Sequence, residues 1–392
     1  MRYVAAGFLA VFLLGSCTSS LLNQKGKVVL WTPRPDQALK DLASHTPGLE
    51  LTEAPRSRPW PQLLAAGGGP DLIVTEMGTD LTDAQKAGLL ADWSMFLPTL
   101  KSPRLLPPSL ARGTAAFTKV FLPSSVYVWG LFYNPAVLAR AGVAVPQDWA
   151  SLISAFRTLK TRGVTPIALG SSFAWPALAW ISAVDLRMNG AEAHRQLIEG
   201  RRPFDDPSVA EVFTTLAAWK NWGWFDPRSS TKNWPEALAD VAAGHAGFTL
   251  LGSFGLTRIT DPANLAFLPL PGDPSRAGDR GELVSVQGFV LSAHASAPEA
   301  AVTLADAYVA AGAPGQAEES FRSAAVPSGT GSAFQKWQDG WLAQASLAAP
   351  LLDRALAPES AKKADQIAVQ FFSPSSHLTV EELTLAFSSL HP

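Results

Sequence analysis

The stretch VYVWGLFYNPAVLARAGVAVPQDW, residues 126–149, decides how the rest of the chain is interpreted. Its first part, Val126–Tyr133, is almost continuously apolar and aromatic, which predicts a strand buried on both faces, as in a parallel-type sheet. Asn134 and Pro135 then predict a helix start, because Asn caps free amides and Pro has no amide to lose. Gly142 predicts the end of that short helix. The stretch thus predicts a buried strand that is followed at once by a capped helix.

The same alternation of strands and helices continues on both sides of this stretch and predicts an α/β protein. Thr82 and Gln85 predict a capping box for a helix that ends near Gly88. Trp175–Met188 is apolar almost all round, which predicts a buried helix. With 392 residues, the chain exceeds what one core usually organises, so two domains are expected.

Composition and motifs exclude several classes of function. Lys and Arg total 31 against 33 Asp and Glu, so the net charge of −2 provides no basic surface for nucleic acid. HExxH, CxxC, GxSxG and P-loop motifs are absent, and the six His are scattered without ligand spacing. We therefore expect no enzyme activity, no cofactor and no metal. The triple glycine at residues 67–69 is not followed by GK[ST], which favours a structural turn over a phosphate loop.

The N-terminal residues have the features of an export signal. Arg2 precedes an apolar run, Val4 to Leu14, that is too short for a permanent membrane span. Residues 14–17, LGSC, resemble the lipobox of bacterial lipoproteins, and Cys17 is the only cysteine. The resemblance implies a signal peptide at residues 1–16, a lipidated tether at 17–27, and two or more acyl chains that anchor Cys17 to a membrane. The alternative is an ordinary signal peptide with an incidental cysteine.

Several motifs resemble, in order along the chain, those of the family 1 extracellular solute-binding proteins, the maltose-binding-protein-like receptors of ABC importers. Residues 126–149 are similar to the family's GLxYN…AGxxxPxTW signature, residues 67–74 to its G-x-x-PDV turn, and residues 247–254 to its GkaAMxxxGsW segment. The resemblance implies a two-lobe type II, Venus-flytrap fold with a mostly parallel sheet in each lobe and a hinge between them. It implies lobe 1 at residues 28–127 and 285–312, and lobe 2 at 128–284 and 313–392.

Sugar binding needs flat aromatic surfaces for ring faces and charged or amide groups for hydroxyls. In lobe 1, Arg34 and Asp36 follow the first predicted strand, Glu76 and Asp80 follow the PDLIV strand, and Trp60 lies in a nearby loop. Ligands of open α/β sheets bind at such strand ends. The alternatives are a surface ion pair for Arg34 and Asp36, and a glycosidase pair for Glu76 and Asp80.

In lobe 2, Ser172, Phe173 and Trp175 follow the strand predicted at 165–169, and FAWPALA resembles the family's tWP segment, near which sugar is bound. Phe254 stands where the family commonly has a ligand-stacking Trp. Trp129 lies in the strand that crosses between lobes, where it lines either the cleft floor or the hinge core. The alternative to ligand binding for Trp175 is packing against the next helix. Trp234 is expected in the core.

The resemblance therefore implies a monomeric, lipid-anchored binding protein in the cell envelope, in the periplasm or on the outer face of the cytoplasmic membrane. It would capture a carbohydrate between its lobes and deliver it to an ABC permease. The enzyme alternative is a secreted glycoside-active lipoprotein. A further alternative is a ligand-loaded receptor for a signalling partner, which would have the same fold.

Overall fold

The computed structural model describes residues 27–33, 35, 37–54, 59–67, 69–96, 100, 119–258, 264–273, 275, 281–310, 341–342 and 344–390. The predicted signal peptide, Cys17, the tether up to residue 26, Arg34 and Asp36 lie outside these residues. Of the helices that the structure describes, none combines the length and apolarity needed to cross a membrane.

Strands and helices alternate along the described chain. The strands are β1 (Val28–Thr32), β2 (Leu49–Glu53), β3 (Leu72–Glu76), β4 (Leu122–Tyr133), β5 (Thr165–Ile167), β6 (Ala246–Gly252), β7 (Ala266–Pro269), β8 (Gly281–Leu291) and β9 (Leu347–Ala349). The α-helices are α1 (Gln37–His45), α2 (Trp60–Ala65), α3 (Thr79–Lys86), α4 (Pro135–Ala141), α5 (Trp149–Thr161), α6 (Trp175–Asn189), α7 (Ala191–Ile198), α8 (Pro207–Asn221), α9 (Trp234–Ala242), α10 (Pro298–Ala310), α11 (Leu352–Ala355), α12 (Pro358–Phe372) and α13 (Val380–Ser388). Short 3-10 helices span Ser229–Thr231 and Ser253–Arg258.

The chain divides into two compact units, and the described residues of unit 1 fall within 27–100, 119–126 and 286–310. In its sheet, β1 lies between β2 and β3 and is parallel to both, while β8 pairs antiparallel with β3. Apolar side chains from the strands pack with those of α1 and α10 in one core. This unit is therefore a mainly parallel sheet covered by helices.

Asp71, just before β3, ties three parts of unit 1 together. The residue is 3% exposed. Its Oδ2 accepts a hydrogen bond from the amide of Val29 (2.8 Å). Its Oδ1 accepts from the amide and hydroxyl of Ser296 (2.5 and 2.9 Å) and from the amide of Ala297 (3.3 Å). The carboxylate thus lies at the N-terminus of α10, where free amides and the helix dipole favour negative charge.

Unit 2 contains the described residues within 127–285 and 341–390, and its strands pair in a mixed pattern. β5 is parallel to β6 and β8 is parallel to β9, but β4 runs antiparallel to both β6 and β7. This departs from the mostly parallel sheet expected in each lobe. The expectation came from the family resemblance and from the continuous apolar run of Val126–Tyr133. An antiparallel strand that is buried on both faces produces the same run.

The predicted helix start at Asn134 is confirmed. Its Oδ1 accepts hydrogen bonds from the amides of Ala136 (3.0 Å) and Val137 (3.2 Å), and Gly142 ends α4 with φ of 71°. The Asn134 Nδ2 also donates to the carbonyls of residues 241 and 242, both at 3.1 Å. The same side chain therefore caps one helix and holds the end of α9 against it.

The capping box predicted for Thr82 and Gln85 is wrong. The helix α3 begins at Thr79, three residues earlier, after Gly78, which provides no side-chain cap. The Thr82 hydroxyl instead donates back to the carbonyl of Gly78 (3.2 Å) from inside the helix. A Ser or Thr hydroxyl can form either bond, so the motif alone does not place a helix start.

Candidate functional site

Five aromatic side chains of unit 2 form one connected group, which we call the aromatic platform. Phe254 is at its centre. Its ring centroid lies 5.8 Å from those of Tyr127 and Trp129, 6.0 Å from that of Trp175, and 5.4 Å from that of Trp234. The interplanar angles of these four pairs lie between 69° and 85°. Edge-to-face pairs at such separations stabilise one another beyond simple burial, so the five rings form a cooperative cluster.

The platform is anchored at Trp129 and accessible elsewhere. Trp129 is 4% exposed, and its Nε1 donates a hydrogen bond to Ser285 Oγ (3.2 Å). Its ring also contacts Trp175 at 5.6 Å, and Trp175 contacts Trp234 at 6.4 Å. The other four rings of the platform are half-buried. They therefore present partly accessible aromatic surface, on which the apolar face of a sugar ring can stack.

The residues that precede Trp175 are held by backbone hydrogen bonds to the loop before α9. Ser171 donates from its amide (2.9 Å) and its hydroxyl (3.0 Å) to the carbonyl of Ser229. The amide of Ser172 donates to the carbonyl of Lys232 (2.9 Å). Ser172 remains exposed, and the Phe173 side chain is 55% exposed. The backbone of this segment is thus fixed while two of its predicted site residues face solvent.

Gly170 allows the two segments to approach this closely. A Cβ atom at position 170 would lie 2.1 Å from the carbonyl oxygen of Asn233 and 2.6 Å from the amide nitrogen of Trp234. Those atoms belong to the backbone and have little freedom to move. The absence of a side chain at Gly170 therefore lets Trp175 and Trp234 meet in the platform.

A cluster of charged groups supports the same loop. Lys232 Nζ lies 2.7 Å from Asp226 Oδ2 and also pairs with Asp240, while Arg228 Nε lies 3.3 Å from Asp226 Oδ1. Burial alone would raise the pKa of Asp226, but hydrogen bonds from Lys232 and Arg228 outweigh it and hold this pKa below its ordinary value. Burial would lower the pKa of Lys232, and its two carboxylate partners raise it above the ordinary value instead. Both groups therefore stay charged at neutral pH.

The candidates in unit 1 occupy neighbouring elements. Glu76 is the last residue of β3 and Asp80 lies in the first turn of α3, and both are half-buried. Trp60 begins α2, which packs against α3. Among the described residues, the buried Nε1 of Trp60 has no hydrogen-bond partner. Arg34 and Asp36 lie outside the described residues, so the structure does not place them.

Sequence reasoning missed two members of the platform. Tyr127 precedes Trp129 by two residues in the same strand, so strand periodicity places both side chains on one face, a signal that the sequence contains. Trp234 was expected in the core, but it is half-buried and contacts Trp175 and Phe254. Its position depends on the close approach at Gly170, which has no local sequence pattern.

In the part of the chain that the structure describes, no three His, Cys, Asp or Glu side chains are grouped so that they could hold a metal ion.

Comparison with known proteins identifies the family to which the chain belongs. A family model described as bacterial extracellular solute-binding protein matches residues 60–313. Two proteins of Pyrococcus horikoshii, each named an uncharacterized ABC transporter extracellular-binding protein, are similar to part of the chain. One is 27% identical over 126 residues, 32% of this chain and 28% of the relative. The other is 25% identical over 146 residues, 36% of this chain and 34% of the relative, so each match covers well under two thirds of the relative.

Solved structures resemble the chain over most of its length. A chitin oligosaccharide binding protein has a TM-score of 0.75 at 20% identity, covering 94% of this chain and 98% of its own. A bacterial solute receptor with an exclusive preference for β-D-galactopyranose has a TM-score of 0.69 at 20% identity, covering 94% and 96%. A sugar transporter of Bacillus licheniformis in complex with stachyose has a TM-score of 0.68 at 17% identity, covering 93% and 99%. At these identities the likeness establishes the fold and confirms the predicted two-domain α/β class.

Proposed function

Because the chain belongs to the bacterial extracellular solute-binding proteins, we propose that it captures a mono- or oligosaccharide and delivers it to the permease of an ABC importer. The observation that carries this proposal is the aromatic platform, which groups three residues that the sequence nominates for sugar contact, Trp129, Trp175 and Phe254. The names of the two relatives support the transport role. The ligands named for the three similar structures support a sugar.

The proposed site combines stacking with hydrogen bonding. The half-buried rings of Trp175 and Phe254 would lie against a sugar ring, and the buried Trp129 ring contacts both of them. Polar side chains would then satisfy the sugar hydroxyls, because unpaired hydroxyls are costly to bury. The remaining candidates for ligand contact are Arg34, Asp36, Trp60, Glu76, Asp80, Ser172 and Phe173. We further propose that the two compact units act as the two lobes of the family fold, and that the sugar is released unchanged.

A thermal-shift screen of residues 27–392 tests the proposal. The panel contains D-galactose, chitobiose and stachyose, which correspond to the ligands named above, together with glucitol as a non-ring polyol. A ligand that binds only the native state raises its stability by mass action. We expect at least one cyclic sugar to raise the midpoint of unfolding and glucitol to leave it unchanged. If chromatography showed that the protein hydrolyses a sugar that it binds, the result would favour the glycosidase alternative.

Removing one platform ring should weaken binding of the sugar selected in that screen. Trp175→Ala and Phe254→Ala are each expected to cost about 1–3 kcal/mol of binding free energy, because each removes a stacking surface. Isothermal calorimetry measures the change. Trp222→Ala is the matched control, since Trp222 is 52% exposed and contacts Trp224 rather than the platform. Equal affinities in all three variants and the wild type would contradict a role for the platform.

We also propose that the protein is anchored in the cell envelope through Cys17, which lies outside the described residues. The support is the LGSC sequence and the family's extracellular location. Cys17→Ser should abolish incorporation of a labelled fatty acid, because acylation needs that thiol. Metabolic labelling of cells that express the full chain measures it, with wild type as the positive control. Label that persists on the Cys17→Ser protein would contradict the lipoprotein assignment.

A further inference from the structure

Gly252 occupies a position where the structure leaves no room for a side chain. It ends β6 and pairs in register with Trp129 of β4. A Cβ atom at position 252 would lie 2.4 Å from Cε1 and 2.6 Å from Cδ1 of Phe254, and 3.4 Å from Cε2 of Trp129. The Phe254 ring therefore fills the space in which any side chain at position 252 would stand.

The residue type at position 252 is restricted by the space available for a side chain and not by the backbone conformation. Gly252 is not among the glycines with positive φ, so its backbone is compatible with other residues. The clash involves ring atoms of the half-buried Phe254 side chain and no backbone atom, so a change in the side-chain torsions of Phe254 can relieve it. A methyl group at this position should thus displace the ring without unfolding the strand.

Displacing Phe254 would alter the whole platform, because this one ring contacts the other four. We propose that Gly252 is a specificity-determining residue of the sugar site: its missing side chain seats Phe254 against the end of β6 and so sets the shape of the stacking surface. This inference rests on the proposed function. A side chain at position 252 would displace the Phe254 ring from its place beside the end of β6 and so change the surface on which a sugar would stack.

The matched pair Gly252→Ala and Gly255→Ala tests this. Gly255 lies three residues further on, and a Cβ atom there would meet Leu251 Cδ2 at 2.7 Å and the Phe132 ring at 3.3 Å, in place of Phe254. Both variants add one methyl group to the same segment and crowd neighbouring side chains, but only the one at position 252 crowds Phe254. Only Gly252→Ala should change the tryptophan bands of the near-ultraviolet circular dichroism spectrum of the sugar-free protein, because Phe254 contacts Trp129, Trp175 and Trp234, whereas Phe132 pairs with Phe267.

Calorimetry with the three cyclic sugars of the screen provides the second readout. We expect Gly252→Ala to lower the affinity for the selected sugar by about tenfold or more, a loss comparable to that of one stacking contact. The variant should also change the order in which the three sugars rank by affinity. Gly255→Ala should keep the wild-type ranking. In a Phe254→Ala background, adding Gly252→Ala should cause little further loss, because the two positions act through the same ring.

The outcomes separate the inference from the proposed function. Wild-type protein that binds none of the three sugars overturns the proposed function and the specificity role with it. Wild-type binding together with an unchanged spectrum and an unchanged ranking in Gly252→Ala overturns the inference alone. Equal losses of sugar affinity in Gly252→Ala and Gly255→Ala would also overturn the inference, because the effect would then come from crowding of the segment in general.

Discussion

Replacing Arg187 with Met is expected to lower the free energy of unfolding by about 3–5 kcal/mol, the cost of removing one partner of a buried ion pair. Arg187 lies on the buried helix α6, and its side chain is 8% exposed. Its Nε donates to the carbonyl of Leu270 (2.7 Å), one terminal nitrogen donates to the carbonyl of Gly281 (2.5 Å), and the other to Glu282 Oε2 (2.6 Å). The Glu282 side chain is 2% exposed, so the variant removes the cation that faces a buried carboxylate.

Chemical denaturation followed by circular dichroism measures the loss. Arg195→Met is the matched control, because Arg195 also pairs with two carboxylates, Glu192 and Glu199, but on the surface. Exposed pairs of this kind contribute about 0–1 kcal/mol. The double variant Arg187→Met with Glu282→Leu should recover part of the loss, because a buried apolar pair carries no desolvation cost. Equal stabilities of the Arg187→Met and Arg195→Met proteins would contradict the argument.

Arg187 illustrates where sequence reasoning reaches its limit. The segment from Trp175 to Met188 correctly predicts a buried helix, and a charged residue in such a helix indicates a partner. The pattern does not identify the partner, because Glu282 is 95 residues away in sequence, near the start of β8, which enters the same core. Local signals thus predict the element and its burial. The pairing depends on packing between elements that are distant in the chain.

The same limit applies to the candidate site, where the individual residues could be predicted from the sequence but their assembly could not. Trp129, Trp175 and Phe254 could be nominated one by one, from the ends of predicted strands and from resemblance. Their assembly into one platform follows from the register that sets Trp129 opposite Gly252 and from the close approach at Gly170. Neither feature has a periodic signature, since each depends on a glycine whose missing side chain matters only after the sheet has formed. The ligand contacts of all the nominated residues stay predictions, and Arg34 and Asp36 also lie outside the described residues.

Asp71→Ala is expected to lower the free energy of unfolding by about 2–4 kcal/mol, because several buried donors lose their common acceptor. The carboxylate serves amides from β1 and from the start of α10, which lie 42 and 225 residues away in sequence. Water cannot easily replace it, since the residue is 3% exposed. Its negative charge also interacts favourably with the N-terminus of α10, an effect that alanine removes as well.

The free energy of unfolding of Asp71→Asn should lie between those of the wild type and Asp71→Ala. Its single amide oxygen can take the place of Oδ1, which accepts the bonds from Ser296 and Ala297, but its NH2 group would then face the amide of Val29 as a second donor. Asp92→Ala is the matched control, because Asp92 is exposed and its hydrogen bonds come from a near neighbour in sequence, the amide (2.7 Å) and the side chain of Ser94. Denaturant midpoints should therefore fall in the order wild type, Asp92→Ala, Asp71→Asn, Asp71→Ala. If Asp71→Ala were no less stable than Asp92→Ala, the bonds at Asp71 would not hold α10 to the sheet.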